Sequence, residues 1–204
     1  MSTLQFHHLE SLRLQFELEA FVETGCYQGD GIAAVLAAGF WAVRSCDIDA
    51  RMVEHCRNRF AGDARVWIEI GDSVSALGRI LGEDLGPALF WLDGHYPAFY
   101  GLGELETAVT RFPVPQELEL IHLFRKGAVS DVILVDDIRV VNAPDNPRWR
   151  PGEVADYYRV DLTSLAELCQ KFEDTHELEV DGQQEGLLVL SPKLVEMTCC
   201  KPRT

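Results

Sequence analysis

The feature that most constrains this chain is a set of short apolar runs that each end in acid. They are Phe21-Val22-Glu23, Ala42-Val43-Arg44-Ser45-Cys46-Asp47, Trp67-Ile68-Glu69-Ile70-Gly71-Asp72, Leu89-Phe90-Trp91-Leu92-Asp93 and Val132-Ile133-Leu134-Val135-Asp136-Asp137. Each has the length of a strand and is nearly continuous in aliphatic and aromatic residues, as strands buried on both faces are. In an open α/β sheet, ligands bind beyond the carboxyl ends of the strands. A carboxylate there is costly to desolvate unless it meets a donor or a cation. Acid-tipped strands sharing one sheet edge therefore predict one site.

Helix-like segments alternate with these runs, so the expected fold is α/β. It is a doubly wound, mostly parallel seven-stranded sheet with helices on both faces and a C-terminal antiparallel hairpin. Strands are expected at 20–24, 41–47, 65–70, 88–93 and 131–136, with hairpin strands at 176–180 and 186–190 about Asp181-Gly182. Helices are expected at 29–38, from the Asp49 cap to 60, at 73–81, at 115–126 and from 163 or 164 to 172. Residues 1–19 read as a lead-in helix, 94–113 and 138–160 as active-site loops, and 192–204 as a tail, all within one domain spanning 1–204.

The formal net charge of −15, from 18 basic and 33 acidic residues, argues against nucleic acid or an anionic membrane as partner. No apolar stretch approaches the ~20 residues of a membrane helix, and no secretory h-region opens the chain. Cys26, Cys46, Cys56, Cys169, Cys199 and Cys200 show no CxxC spacing, so free thiols in a reducing cytoplasm are expected. A homodimer is left open.

The turn after the first strand reads Glu23-Thr24-Gly25-Cys26-Tyr27-Gln28-Gly29-Asp30-Gly31. Its glycines let backbone approach a ligand closely. It is neither the GxGxxG of a dinucleotide site nor a GxxxxGK[ST] phosphate loop. Glu23 and Asp30 would repel a pyrophosphate and suit a ligand that carries positive charge.

With that turn, the chain resembles the class I, Rossmann-like S-adenosylmethionine-dependent methyltransferases. The E-x-G-x-x-x-G-x-G pattern at Glu23, Gly25, Gly29 and Gly31 is similar to their first motif. Ser45-Cys46-Asp47-Ile48-Asp49 resembles their second, which implies ribose binding by Asp47, with Asp49 as second choice. Gly71-Asp72-Ser73 resembles their third, which implies that Asp72, with Ser73, meets the adenine. The implied cofactor is S-adenosylmethionine.

Asp93-Gly94-His95-Tyr96 and Asp136-Asp137 follow strands four and five. Adjoining carboxylates repel unless a proton or cation intervenes, and oxygen donors suit Mg²⁺, Mn²⁺ or Ca²⁺. Asp93, Asp136 and Asp137 resemble the ligand set of the metal-dependent O-methyltransferases. This implies methyl transfer to a hydroxyl of a small molecule or sugar, with Asp93 and His95 at the reacting end and His95 as candidate base. Tyr96, Tyr100, Trp149 and Tyr157 are candidates to line the acceptor pocket. Glu104, Glu106, Glu117 and Glu119 read as solvated positions, with Glu117 able to turn into the cleft. Two rivals remain: a nucleotide-sugar glycosyltransferase using the Asp47-Ile48-Asp49 DxD, and a non-catalytic cofactor-binding protein on the same fold.

Overall fold

The computed structural model describes residues 8–95, 112–125, 130–138, 162–181 and 186–193. The acid-tipped runs form β1 (Ala20–Thr24), β2 (Ala42–Asp47), β3 (Val66–Ile70), β4 (Ala88–Leu92) and β5 (Val132–Val135). They pair in parallel, and the hairpin β6 (His176–Asp181) and β7 (Leu187–Pro192) completes the sheet through antiparallel pairing of β7 with β5. The order is β3-β2-β1-β4-β5-β7-β6, seven strands in all. The expected architecture is therefore the observed one.

Strand alternation divides the core between two faces. Phe21, Val43, Leu89 and Trp91 pack with Leu9 of α1 (Leu9–Gln15), with Ile32 and Val35 of α2 (Asp30–Ala37) and with Val53 and Cys56 of α3 (Ala50–Arg59). Val22, Phe90, Leu92, Ile133 and Val135 face the other way. They meet Leu77 and Ile80 of α4 (Ser73–Ile80), Leu118 and Ile121 of α5 (Val114–Phe124), and Leu168 of α6 (Leu162–Gln170). Phe21, Phe90 and Trp91 are all 0 % exposed, and full burial of a large apolar side chain contributes ~1.5–3 kcal/mol each.

Helix starts follow local chemistry. Asp49 caps α3 by accepting the Arg51 N–H at 2.9 Å, and Asp72 caps α4 by accepting the Ser75 N–H at 2.9 Å. The lead-in helix is shorter than expected: α1 stops at Gln15, and Glu17 takes a left-handed φ of 53° as the chain turns into β1. The described ends of the other elements lie within about two residues of expectation, the usual scatter of helix and strand termini. At the sheet edge away from the acids, Arg125 grips Asp131 at 2.7 and 2.8 Å, and Asp131 also accepts the Ala88 N–H at 2.9 Å.

Residues 96–111 and 139–161, which hold most of both expected loops, lie outside the described residues. So do Tyr96, Tyr100, Glu104, Glu106, Trp149, Tyr157, Cys199 and Cys200. Cys26, Cys46, Cys56 and Cys169 are free thiols, as expected. Among the described residues, no helix is long and apolar enough to cross a membrane.

Candidate active site

β1 lies between β2 and β4, and the chain leaves β1 toward β2 on one side while β4 flanks the other. This is the topological switch point, where connections diverge and a crevice opens. Glu23 stands in register with Ser45 and Trp91, Thr24 with Cys46 and Leu92, and Leu92 with Val135. The acids of β1, β2, β4 and β5 thus leave the sheet side by side.

Gly25 has φ 90°, and a Cβ there would sit 2.5 Å from the Asp93 carbonyl oxygen. Glycine is needed because backbone from β4 fills the space, a different reason from the ligand clearance expected of it. Gly29 is the N-cap of α2 at φ 79°, and Gly31 is buried inside that helix. The carboxylate of Asp47 holds the turn in place: Oδ2 accepts the Tyr27 N–H at 3.0 Å and Oδ1 the Asp49 N–H at 2.9 Å. Burial pushes the Asp47 carboxyl up, and these two N–H groups work the other way. The Cys26 thiol adds a further hydrogen bond to this carboxylate. Asp49 is otherwise engaged. Arg51 binds it through Nη2 at 2.6 Å and through its N–H, which holds its carboxyl below the usual range.

Glu23 is 2 % exposed and accepts the Ser45 hydroxyl at 2.7 Å. Burial pushes its carboxyl up to about 8, against the Ser45 hydrogen bond and with help from the Asp93 charge. It is therefore predominantly protonated at neutral pH, and a neighbouring cation would favour its charged form.

At the reacting end, His95 lies between two carboxylates. Its Nδ1 is 3.2 Å from Asp93 Oδ1 and its Nε2 is 2.5 Å from Asp137 Oδ2. Burial opposes charge on the ring, but the hydrogen bonds to Asp137 and Asp93 outweigh it and raise the imidazole to about 10. In this arrangement the ring is an imidazolium at neutral pH and donates from both nitrogens. Asp137 has a left-handed φ of 55°, and its N–H donates to Asp136 Oδ1 at 2.9 Å. Among the described residues, the group whose ligand atoms converge, all within 4.8 Å of one another, is Asp93, His95 and Asp137. Asp136, expected from the sequence as a ligand, turns one oxygen to its neighbour's backbone instead. Two carboxylates and an imidazole fit a divalent ion. The nitrogen shifts the preference from Mg²⁺ or Ca²⁺ toward Mn²⁺ and other borderline ions.

Glu117 is the residue that the sequence placed least well. It is 0 % exposed on the inner face of α5, where burial pushes its carboxyl up to about 7. The signal was its spacing: Val114, Glu117, Leu118 and Ile121 form one stripe at helical period. Glu119 is solvated as expected, paired with Lys171 at 2.6 Å. His176 is structural, its Nε2 bonded to the Asp131 carbonyl at 2.9 Å.

Solved structures share this fold. The SAH-bound methyltransferase PaMTH1 of Podospora anserina superposes with a TM-score of 0.67 at 14% identity, over 95% of this chain and 80% of that one. The O-methyltransferase TomG of Streptomyces achromogenes, in complex with SAM, gives 0.59 at 15% identity over 95% and 81%. An O-methyltransferase of Bacillus cereus with SAH gives 0.54 at 16% identity over 95% and 82%. The chain has the class I methyltransferase fold. No family model matches the sequence, and no curated protein matches it.

Within the methyltransferase fold, the Gly-rich turn, Asp47 and Asp72 lie at the ends of β1, β2 and β3, in the order the sequence motifs imply. The acids after β4 and β5 stand beside them. The fold thus brings Glu23, Gly25, Asp47, Asp93, His95 and Asp137 to one edge of the sheet, where Asp49 serves as a helix cap.

Proposed function

We propose that the chain is an S-adenosylmethionine-dependent methyltransferase that acts on a hydroxyl of a small molecule, with a divalent cation assisting. The observation that carries this reading is the pairing of two half-sites at one switch point. An acid-lined, glycine-turned crevice suited to a cation adjoins the Asp93–His95–Asp137 cluster.

S-adenosylmethionine, when bound, supplies a methyl group on a sulfonium. Gly25 and Gly29 bring backbone close to it, and Asp47 presents its carboxylate to the ribose hydroxyls. Asp72 and Ser73 face the adenine, and Glu23 gains a counter-charge that lets it ionise. Asp93 keeps 24% side-chain exposure against 5% for Asp137, so it is the acid open to an acceptor. It orients the acceptor hydroxyl and takes its proton as the new C–O bond forms. His95, already protonated, steadies both carboxylates instead of serving as the base. Asp136 positions Asp137 through its N–H. A divalent ion held by Asp93, His95 and Asp137 would first have to displace a ring proton from His95, and would then lower the pKa of the acceptor hydroxyl and orient it. The DxD alternative has less support, because the Asp49 carboxylate is taken up by Arg51.

Calorimetric titration with S-adenosylhomocysteine, NAD and a nucleotide sugar, with and without Mn²⁺, tests the reading. Binding of S-adenosylhomocysteine alone is expected. Binding of the nucleotide sugar without it would overturn the proposal.

A further inference from the structure

Three oxygens next to the proposed cofactor site have no hydrogen-bond partner: both carboxylate oxygens of Glu117 and the hydroxyl of Thr24, all buried. Glu117 and Thr24 are each 0 % exposed. Buried polar groups are almost always paired, so this grouping calls for a missing donor. Its surroundings belong to the crevice. Thr24 is the last residue of β1 and precedes Gly25. Ser73 is the first residue of α4 and follows Asp72. A Cβ on Gly94, between Asp93 and His95, would lie 3.1 Å from Glu117 Oε1 and 3.2 Å from Ser73 Oγ. Glycine at 94 is what lets the carboxylate rise to the level of the strand ends. The Thr24 and Ser73 hydroxyls ease the charge on Glu117, yet neither completes a hydrogen bond to it.

The Thr24 and Ser73 hydroxyls can donate as well as accept, but no donor completes a bond to the buried carboxylate, so the site favours a ligand group that brings N–H bonds. It rejects phosphates, carboxylates and carbonyls, which would add acceptors to acceptors. We propose that Glu117 is a cofactor-binding residue which, with Thr24 and Ser73, receives an amino group of the bound S-adenosyl ligand. This rests on the methyltransferase reading above and extends it to a residue on α5 outside the three glycine and acid motifs. Two amino groups of that ligand have the right chemistry. The 6-amino group of adenine is favoured by the contact with Ser73, and the α-ammonium of the methionyl end is favoured by the contact with the Asp93 turn.

Three ligands separate the cases: S-adenosylhomocysteine, S-inosylhomocysteine, which lacks the 6-amino group, and 5′-methylthioadenosine, which lacks the ammonium. Each is titrated calorimetrically into the native protein and into Glu117→Gln and Thr24→Val. Glu117→Gln should weaken S-adenosylhomocysteine by about tenfold or more, the cost of losing a hydrogen bond to a charged acceptor. The penalty should vanish for one analogue only, and that analogue identifies the amino group. Thr24→Val should show the same pattern with a smaller loss, and it carries the test alone if Glu117→Gln does not fold. Unchanged affinity for S-adenosylhomocysteine in both variants, or an equal penalty on all three ligands, overturns the proposal. If the native protein binds none of the three, the methyltransferase reading fails and this inference fails with it.

Discussion

Asp47 and Asp49 are two residues apart and chemically alike, yet their surroundings separate their roles. Asp47 braces the Gly-rich turn through Tyr27, whereas Asp49 is closed by Arg51. Asp47→Ala should weaken S-adenosylhomocysteine by ~1–3 kcal/mol, the range for hydrogen bonds to a charged acceptor. Asp49→Ala should cost helix stability of about 1 kcal/mol with little change in affinity. Calorimetry on both variants, alongside their urea midpoints, checks the division; equal affinity losses would refute it. The sequence ranked Asp47 first for the ribose, and the proposed division keeps that ranking. The capture of Asp49 was less legible, because an i,i+2 contact between side chains depends on the rotamer that Arg51 adopts.

Among elements, the contact of the β1 and β4 turns is decisive. Gly25→Val should destabilise the protein, because a Cβ would press on the Asp93 carbonyl at 2.5 Å from a backbone at φ 90°. Left-handed strain alone costs on the order of 1–3 kcal/mol, so the urea midpoint should fall along with cofactor affinity. Loss of affinity at unchanged stability would return the glycine to its simpler role of ligand clearance. At the opposite edge, Asp131→Ala should destabilise by roughly 3–5 kcal/mol, since it strands the Arg125 guanidinium in a partly buried place. Strand and helix positions were legible because each apolar run and cap is a local signal. The clasp of His95 by Asp93 and Asp137 was not. It depends on β4 and β5 being neighbours with Leu92 beside Val135, and adjacency is a property of the whole sheet. Glu117 was left between solvent and cleft for a related reason: its place in the α5 stripe marks burial, while its charge suggests solvent, and only packing decides between them.

For the whole molecule, the crowding of acids at one edge predicts how stability responds to pH. The folded chain holds Glu23 at about 8 and Glu117 at about 7, both raised from 4.5 by burial. Between pH 4.5 and 8 the native state therefore binds more protons than the unfolded chain, and stability must fall as pH rises. His95, raised from 6.5 to about 10, acts in the same direction up to that pH. His176, lowered by burial, opposes it weakly near neutrality. The melting temperature of the ligand-free protein should drop from pH 5 to pH 8, and Glu23→Gln should flatten that slope. A melting temperature that rises over this interval would contradict the raised carboxyls. Mn²⁺ should reverse part of the loss at pH 8, and a soaked crystal should show an anomalous peak between Asp93 and Asp137. An empty difference map there would leave the imidazolium as the charge between them.

The Asp93 N–H also donates to the Thr24 carbonyl at 3.1 Å, and the Asp136 N–H to the Leu92 carbonyl at 3.1 Å. Added to the touch of Gly25 on Asp93, these bonds make the three strand ends a single jig, in which donor and acceptor are clamped against one common reference. Such a jig gives accuracy by surrendering tolerance. A substitution that shifts one turn by a few tenths of an ångström would carry the opposite half-site with it, so the damage would show as misaimed chemistry, in kcat, before it showed as lost occupancy.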